Sequence, residues 1–202
     1  MAPTVLIDHV HLESHQQELA DFERKQNEFG TQDQSARFPD SLQNHQSITP
    51  IQQSSTSTVL ISSPYLEPTH HLDLTTLDAQ SQLFARALAV MEPTGPDYAV
   101  ADYTTAFNWP TVMAALQHFT AEARQAWTRQ SFYTVIFRSR LTLTVDRELL
   151  HQLDKESHRE ATLSGGLLKY WFGTPNAERR NLATCKLFDG IKKTTRHRRN
   201  LC

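Results

Sequence analysis

His151, Asp154 and His158 follow one another at steps of three and four, a spacing that stacks two imidazoles and a carboxylate on one side of a helix. Such a trio could share a proton or approach a metal. That side lies nearly opposite a stripe of Leu149, Leu153 and Glu160, so it reads as a solvated face, and a haem ligand at His158 would require the helix to turn this side towards a cavity. His70-His71, ahead of Leu72-Asp-Leu74, reads as a loop feature in the same way. A second set of residues comes from alternation: Phe132, Thr134, Ile136, Arg138 and Arg140 share one side of a strand, and Lys169 and Trp171 share one side of another. Aromatic walls carrying two or three cations suit a planar or carboxylate-bearing ligand. The candidate ligand-binding residues are therefore Arg138, Arg140, Lys169, Trp171, Ile136 and Phe132, and the competing reading puts them at a dimer interface or at strand ends in water. No catalytic residue, metal site or cofactor is assigned. There is no Gly-x-Ser-x-Gly elbow and no Cys/His zinc spacing, and Gly165-Gly166 with Lys169 has the wrong spacing for a phosphate loop.

The elements that must position these residues begin near Thr58. Val59-Leu60-Ile61 leads into an extended segment punctuated by Pro64 and Pro68. Asp78 stands at an N-cap, followed by Leu83, Phe84, Ala87, Leu88 and Met91 at helical spacing. The short stretch from Asp97 to Tyr103 is compatible with a weak strand. Asn108-Trp-Pro110 starts a helix of about five turns with Val112, Leu116, Phe119, Ala123 and Trp127 on one stripe. A sheet follows: from Phe132 to Leu143, Tyr133, Val135, Phe137, Leu141 and Leu143 alternate on the helix-facing side. Val145, Asp146 and Leu150 staple the start of another helix, and Gly165 supplies its left-handed cap. Leu167 to Phe172 is a strand with Leu168, Tyr170 and Phe172 on its more apolar face. The turn at Gly173-Thr-Pro-Asn176 returns it through Arg180 to Cys185. Strand, helix, strand, strand is three quarters of a ferredoxin-like split β-α-β unit.

A chain of 202 residues with 39% hydrophobic content can bury one core, while a mean hydropathy of -0.51 keeps much of it wet. Residues 13–58 are rich in Gln, Ser, Thr, Asp and His, and residues 1–58 read as a largely disordered polar arm, within which Val5-Leu6-Ile7 is either a docked strand or an interaction motif. The net charge of -2 conceals a tail, Lys186 to Cys202, with six Lys/Arg against one Asp. That tail reads as solvated, with a nuclear-import signal or a nucleic-acid tether as the lesser readings, so nucleic acid is not the expected partner. Two cysteines, Cys185 and Cys202, read as free thiols in a reducing compartment. No signal peptide and no membrane span are expected, which places the protein in the cytoplasm with access to the nucleus.

Pro64-Tyr-Leu-Glu-Pro68 with His71-Leu-Asp-Leu74, Pro96-Asp-Tyr98, Phe107-Asn-Trp109, Phe132-Tyr-Thr-Val-Ile-Phe-Arg-Ser139, Gly165-Gly-Leu-Leu-Lys-Tyr-Trp-Phe-Gly173 and Arg180-Asn-Leu-Ala-Thr-Cys185 together resemble an uncharacterised family of fungal proteins. The likeness covers about residues 59–185. The later half is similar to the dimeric α/β-barrel type of ferredoxin-like domain, used by small monooxygenases, chlorite-dismutase-like haem proteins and stress-response binding proteins. That resemblance implies an antiparallel sheet with helices on one face, a ligand on the open face and a homodimer through the sheet. It also implies a second helix and a fourth strand after Cys185. The divergent residues 186–202 supply neither, so the fold is expected to be incomplete at its carboxyl end, with an unpaired sheet edge, as in a truncated or mis-spliced product.

The expected fold class is thus α+β, with domain 59–185 between a polar arm and a basic tail. The expected function is binding of a small aromatic or carboxylate ligand on the open sheet face, with oxidative or lyase chemistry in an intact homologue. The alternative is a non-catalytic protein-interaction module, inactive if truncated.

Overall fold

Both sides of the central sheet are covered by helices of the same chain. The computed structural model describes residues 5–10 and 57–188. The chain divides into one unit of residues 1–10 and 53–202 and another of 11–52; the second, like the carboxyl-terminal tail after Phe188, lies outside the described residues. The expected disorder of the arm therefore falls almost wholly on residues not described.

The fold is mixed α+β. Strands β1 (Val5–Val10), β2 (Val59–Leu60) and β3 (Leu72–Asp73) precede helices α1 (Ala79–Leu88), α2 (Tyr103–Ala106) and α3 (Trp109–Glu122). Strand β4 (Gln130–Arg140), helix α4 (Arg147–Ser164), and strands β5 (Leu167–Phe172) and β6 (Arg180–Phe188) complete it. The main sheet has the order β1-β4-β6-β5, with β6 antiparallel to both neighbours. Strands β4 and β5 are therefore parallel to each other on either side of β6, with α4 crossing between them. β2 and β3 form a separate antiparallel pair.

Local signals place most boundaries. Asp78 caps α1 by accepting from the backbone N–H of Gln80 and Ser81, and Asp146 caps α4 by accepting from Leu149 N–H. Gly165, at φ 80°, closes α4 in the left-handed region. Asn108 does something other than cap α3: its Oδ1 accepts from Glu92 N–H and its Nδ2 donates to Val90 O, so it ties α3 to the chain leaving α1. Helix α3 stops at Glu122, short of Trp127. The weak strand expected near Asp97 is instead a 3-10 turn, Pro96–Ala99, followed by α2, whose Asp102 cap outcompetes an extended course. β4 ends at Arg140, which leaves Leu141 outside the strand and Leu143 exposed.

Four corrections bear on function. First, the face carrying Phe132, Ile136 and Trp171 is not open: it packs against α1 and α3, with the Phe84 and Phe132 rings 4.4 Å apart and Leu168, Leu182, Val112 and Leu116 in the same core. The opposite face, with Val135, Phe137, Tyr170 and Cys185, packs against Tyr65 and α4. Helices on one face alone would have left too much apolar surface in water. Second, a bulge between Leu167 and Lys169 exchanges the two leucines expected from strict alternation. Leu167 joins Tyr170 on the α4 side, and Leu168 joins the other core. Third, β6 continues past Cys185 to Phe188, and the edge of β4 expected to be unpaired carries β1 in parallel, in register from Val5 opposite Gln130 to Val10 opposite Val135. Fourth, Cys185 is disulfide-bonded rather than a free thiol; Cys202 lies outside the described residues.

Glycine is required at 173, where a Cβ would overlap the Tyr98 ring. That ring reaches over the β5–β6 turn and donates its hydroxyl to Thr174 O at 2.5 Å.

Candidate functional site

Helix α4 meets the sheet with the side that the leucine pattern assigned to water. His158 and Ala161 are buried, whereas Leu149, Leu153 and Leu163 are 37%, 44% and 71% exposed. What turns the helix is the segment in front of it. Ser62 O accepts from Tyr170 N–H at 2.9 Å, laying residues 62–65 along the free edge of β5. Ser63 Oγ, within reach of both the N–H and the carbonyl of Tyr65, fixes the next turn. A 3-10 turn at Pro68–His70 then points His70 inward, and Lys155 of α4 pairs with Glu67 across the rim.

Five polar side chains converge beneath that rim. The Tyr65 and Tyr170 hydroxyls both donate to Asp154, one to each carboxylate oxygen. Burial first, and then the Asp154 charge, pushes both phenols well above their usual range, so they remain donors. His70 and His158 meet Nδ1 to Nδ1 at 2.9 Å, a contact in which one ring donates and the other accepts. Burial lowers both imidazoles, His158 to about 4, and the neighbouring His70 adds to the effect on His158. The Tyr65 ring packs on both histidines, with centroids 4.8 and 5.3 Å away, and also touches His151 and Phe172. Thr162 Oγ1 donates to the His158 carbonyl at 2.9 Å. The second ring nitrogen of His158, Nε2, is buried and has no hydrogen-bond partner. Among the described residues no group of three or more His, Cys, Asp or Glu could hold a metal ion.

The six expected ligand-binding residues lie on the other, covered face or at its end. Phe132 is buried against Phe84, and Ile136 packs in the same core. Trp171 stands edge-on to Tyr98 and Phe107, at 5.1 and 5.0 Å. Arg138 donates to the carbonyls of Ala99 and Ala101 at 2.6 and 2.5 Å, and Arg140 donates to Glu178 O at 3.3 Å. Lys169 sits deep enough that burial lowers its amine to about 8, with Glu92 acting the other way. The structure adds Lys186, the register partner of both Lys169 and Thr134, whose side chain is fully buried. Sequence reasoning missed Lys186 by ending the strand at Cys185. The signal was the alternation Leu182, Thr184, Lys186, which continues the strand's inward side. It also considered Asp154 and His158 and set them aside on the leucine stripe, and His70 and set it aside as a loop feature.

An α+β domain with a buried histidine–tyrosine–aspartate cluster on one sheet face is thus the class of protein that fold and site define. The PB2B2.08-like family model matches residues 61–189, and the chain belongs to that family. It is 38% identical over 131 residues to the UPF0643 protein PB2B2.08 of Schizosaccharomyces pombe, an alignment covering 61% of this chain and 60% of that relative. No solved structure matches. Among the described residues no helix is long and apolar enough to cross a membrane.

Proposed function

We propose that this domain binds a small planar molecule against the α4-covered face of the sheet, where Tyr65, His70, Asp154, His158 and Tyr170 handle a proton on it. The observation that carries this reading is His158 Nε2, a buried ring nitrogen with no protein partner. Native proteins rarely leave such an atom unmatched, because its desolvation costs about 1–3 kcal/mol. The Nδ1 contact with His70 sets its tautomer: when His158 donates at Nδ1, its Nε2 is a bare base, and when it accepts there, Nε2 carries a proton to give. Asp154, held by the Tyr65 and Tyr170 hydroxyls, joins the pair through the Tyr65 ring, which packs on both imidazoles. The Tyr65, Tyr170 and Phe172 rings favour a flat ligand.

The test uses phenol, indole and nicotinamide as probes, read by thermal shift and by imidazole nitrogen resonances. At least one probe is expected to raise the unfolding midpoint and move the His158 signals, and His158→Gln is expected to remove both effects. Probes that leave the His158 nitrogens unmoved, or stabilise His158→Gln as well as the parent, would refute the site.

A second reading, a protein-interaction module, is favoured by the exposed Leu149, Leu153 and Leu163 of α4.

A further inference from the structure

The face of the sheet covered by α1 and α3 holds a polar cluster of a different kind. Lys186 projects from β6 into the core around α1 and α3 and is completely buried. Its Nζ donates to the Tyr103 hydroxyl, lies 3.3 Å from Thr184 Oγ1, and sits 4.6 and 5.1 Å from the centres of the Tyr103 and Trp109 rings. No carboxylate pairs with it among the described residues, and burial drives its amine well below the usual lysine value. Directly across on β4, the Thr134 hydroxyl is buried without a partner. Across on β5 stands Lys169, which feels the charge of the exposed Glu92. Register partners on adjacent strands hold their Cβ atoms about 5 Å apart, so Lys169, Lys186 and Thr134 line one row.

An ammonium buried with no counter-ion costs several kcal/mol, and leucine or methionine would fill the same place without that cost. A chain that keeps an uncompensated amine, an orphan hydroxyl and a second amine in one row holds the parts for capturing a small polar molecule. The two lysines differ in the way such capture needs. Lys186 is the one set among hydroxyls that can carry its protons, Tyr103 and Thr134, and Lys169, whose amine burial lowers to about 8, keeps charge near neutral pH to pair with a carboxylate.

We propose that this row is a second site, independent of the histidine cluster, which takes a small 2-oxo acid: Lys169 receives its carboxylate and Lys186 forms an imine with its carbonyl carbon. The Lys186 Nζ lone pair adds to that carbon as the C=O π electrons move to oxygen. The proton lost from nitrogen passes to this oxygen by way of the Tyr103 or Thr134 hydroxyl, giving a carbinolamine. Its hydroxyl oxygen takes up the second nitrogen proton by the same route and leaves as water while the nitrogen lone pair forms the C=N bond, so no oxidant or reductant is consumed.

The full chain is incubated with pyruvate and sodium cyanoborohydride, which reduces the imine to a stable secondary amine, and the labelled lysine is found by peptide mass spectrometry. Labelling at Lys186 is expected to exceed that at any other lysine by about tenfold, and Lys169→Met is expected to cut pyruvate labelling while sparing acetone labelling. Lys186→Met abolishes the specific adduct and unfolds at or above the parent's midpoint, since a buried cost is removed. Folded parent protein that labels only surface lysines, or does not label, overturns the proposal; so does equal loss of pyruvate and acetone labelling in Lys169→Met. The parent arm decides even if a variant fails to fold, and none of these outcomes bears on the histidine cluster.

Discussion

His158 and His70 share a contact that only uncharged or singly protonated rings can make, and burial holds both below the ordinary histidine value. Around His70, Glu67 and Glu156 act against that shift, while Lys155 and Arg159 act with it. The unfolded chain protonates its histidines near 6.5, before the folded protein does. Stability from these two residues is therefore complete above that pH and is lost as the pH falls towards the His158 value of about 4. Between pH 7.5 and 5 the unfolding midpoint is expected to drop by about 5 °C more in the parent than in His158→Gln, a difference readable by scanning calorimetry. Equal slopes would mean that the imidazoles charge freely. The lysines on the other face follow the same rule at higher pH: lowered amines add stability as the pH rises towards 10.5.

At the scale of elements, α4 is decided by its neighbours rather than by its own hydrophobic pattern. Its inward side offers Asp154 to two tyrosines, His158 to His70 and Ala161 to the sheet, and these contacts outweigh burial of Leu149 and Leu153. The orientation is testable by paired substitutions. Leu149→Ala with Leu153→Ala is expected to change stability by less than about 0.5 kcal/mol each, as at surface positions, whereas Ala161→Leu is expected to cost about 1–3 kcal/mol by overpacking. Denaturant melts giving the reverse order would turn the helix over. The same logic explains Leu167 and Leu168, where one bulged residue moves a leucine from one core to the other.

At the scale of the whole molecule, β1 protects an edge. A chain beginning at residue 53 would leave β4 with a free row of backbone groups, and its midpoint is expected to fall by about 5 °C with growth of oligomers in light scattering. An unchanged, monomeric product would show that β1 adds nothing. Strand alternation, the caps at Asp78 and Asp146 and the glycine stop at Gly165 were legible because each depends on a few consecutive residues. The polar clusters were only half legible. His70, Asp154, His158 and Lys169 stood out as chemistry-bearing types, but the contacts that give them meaning join residues as much as 89 apart, as in Tyr65 with Asp154. By itself the sequence determined most of the elements and the α+β class, since turn chemistry and periodicity are local. Only the tertiary structure decided which side of α4 is inside, that both sheet faces are covered, and that Lys186 is buried. Those choices come from the combined packing and hydrogen bonding of several distant segments, and no single stretch of chain carries that balance.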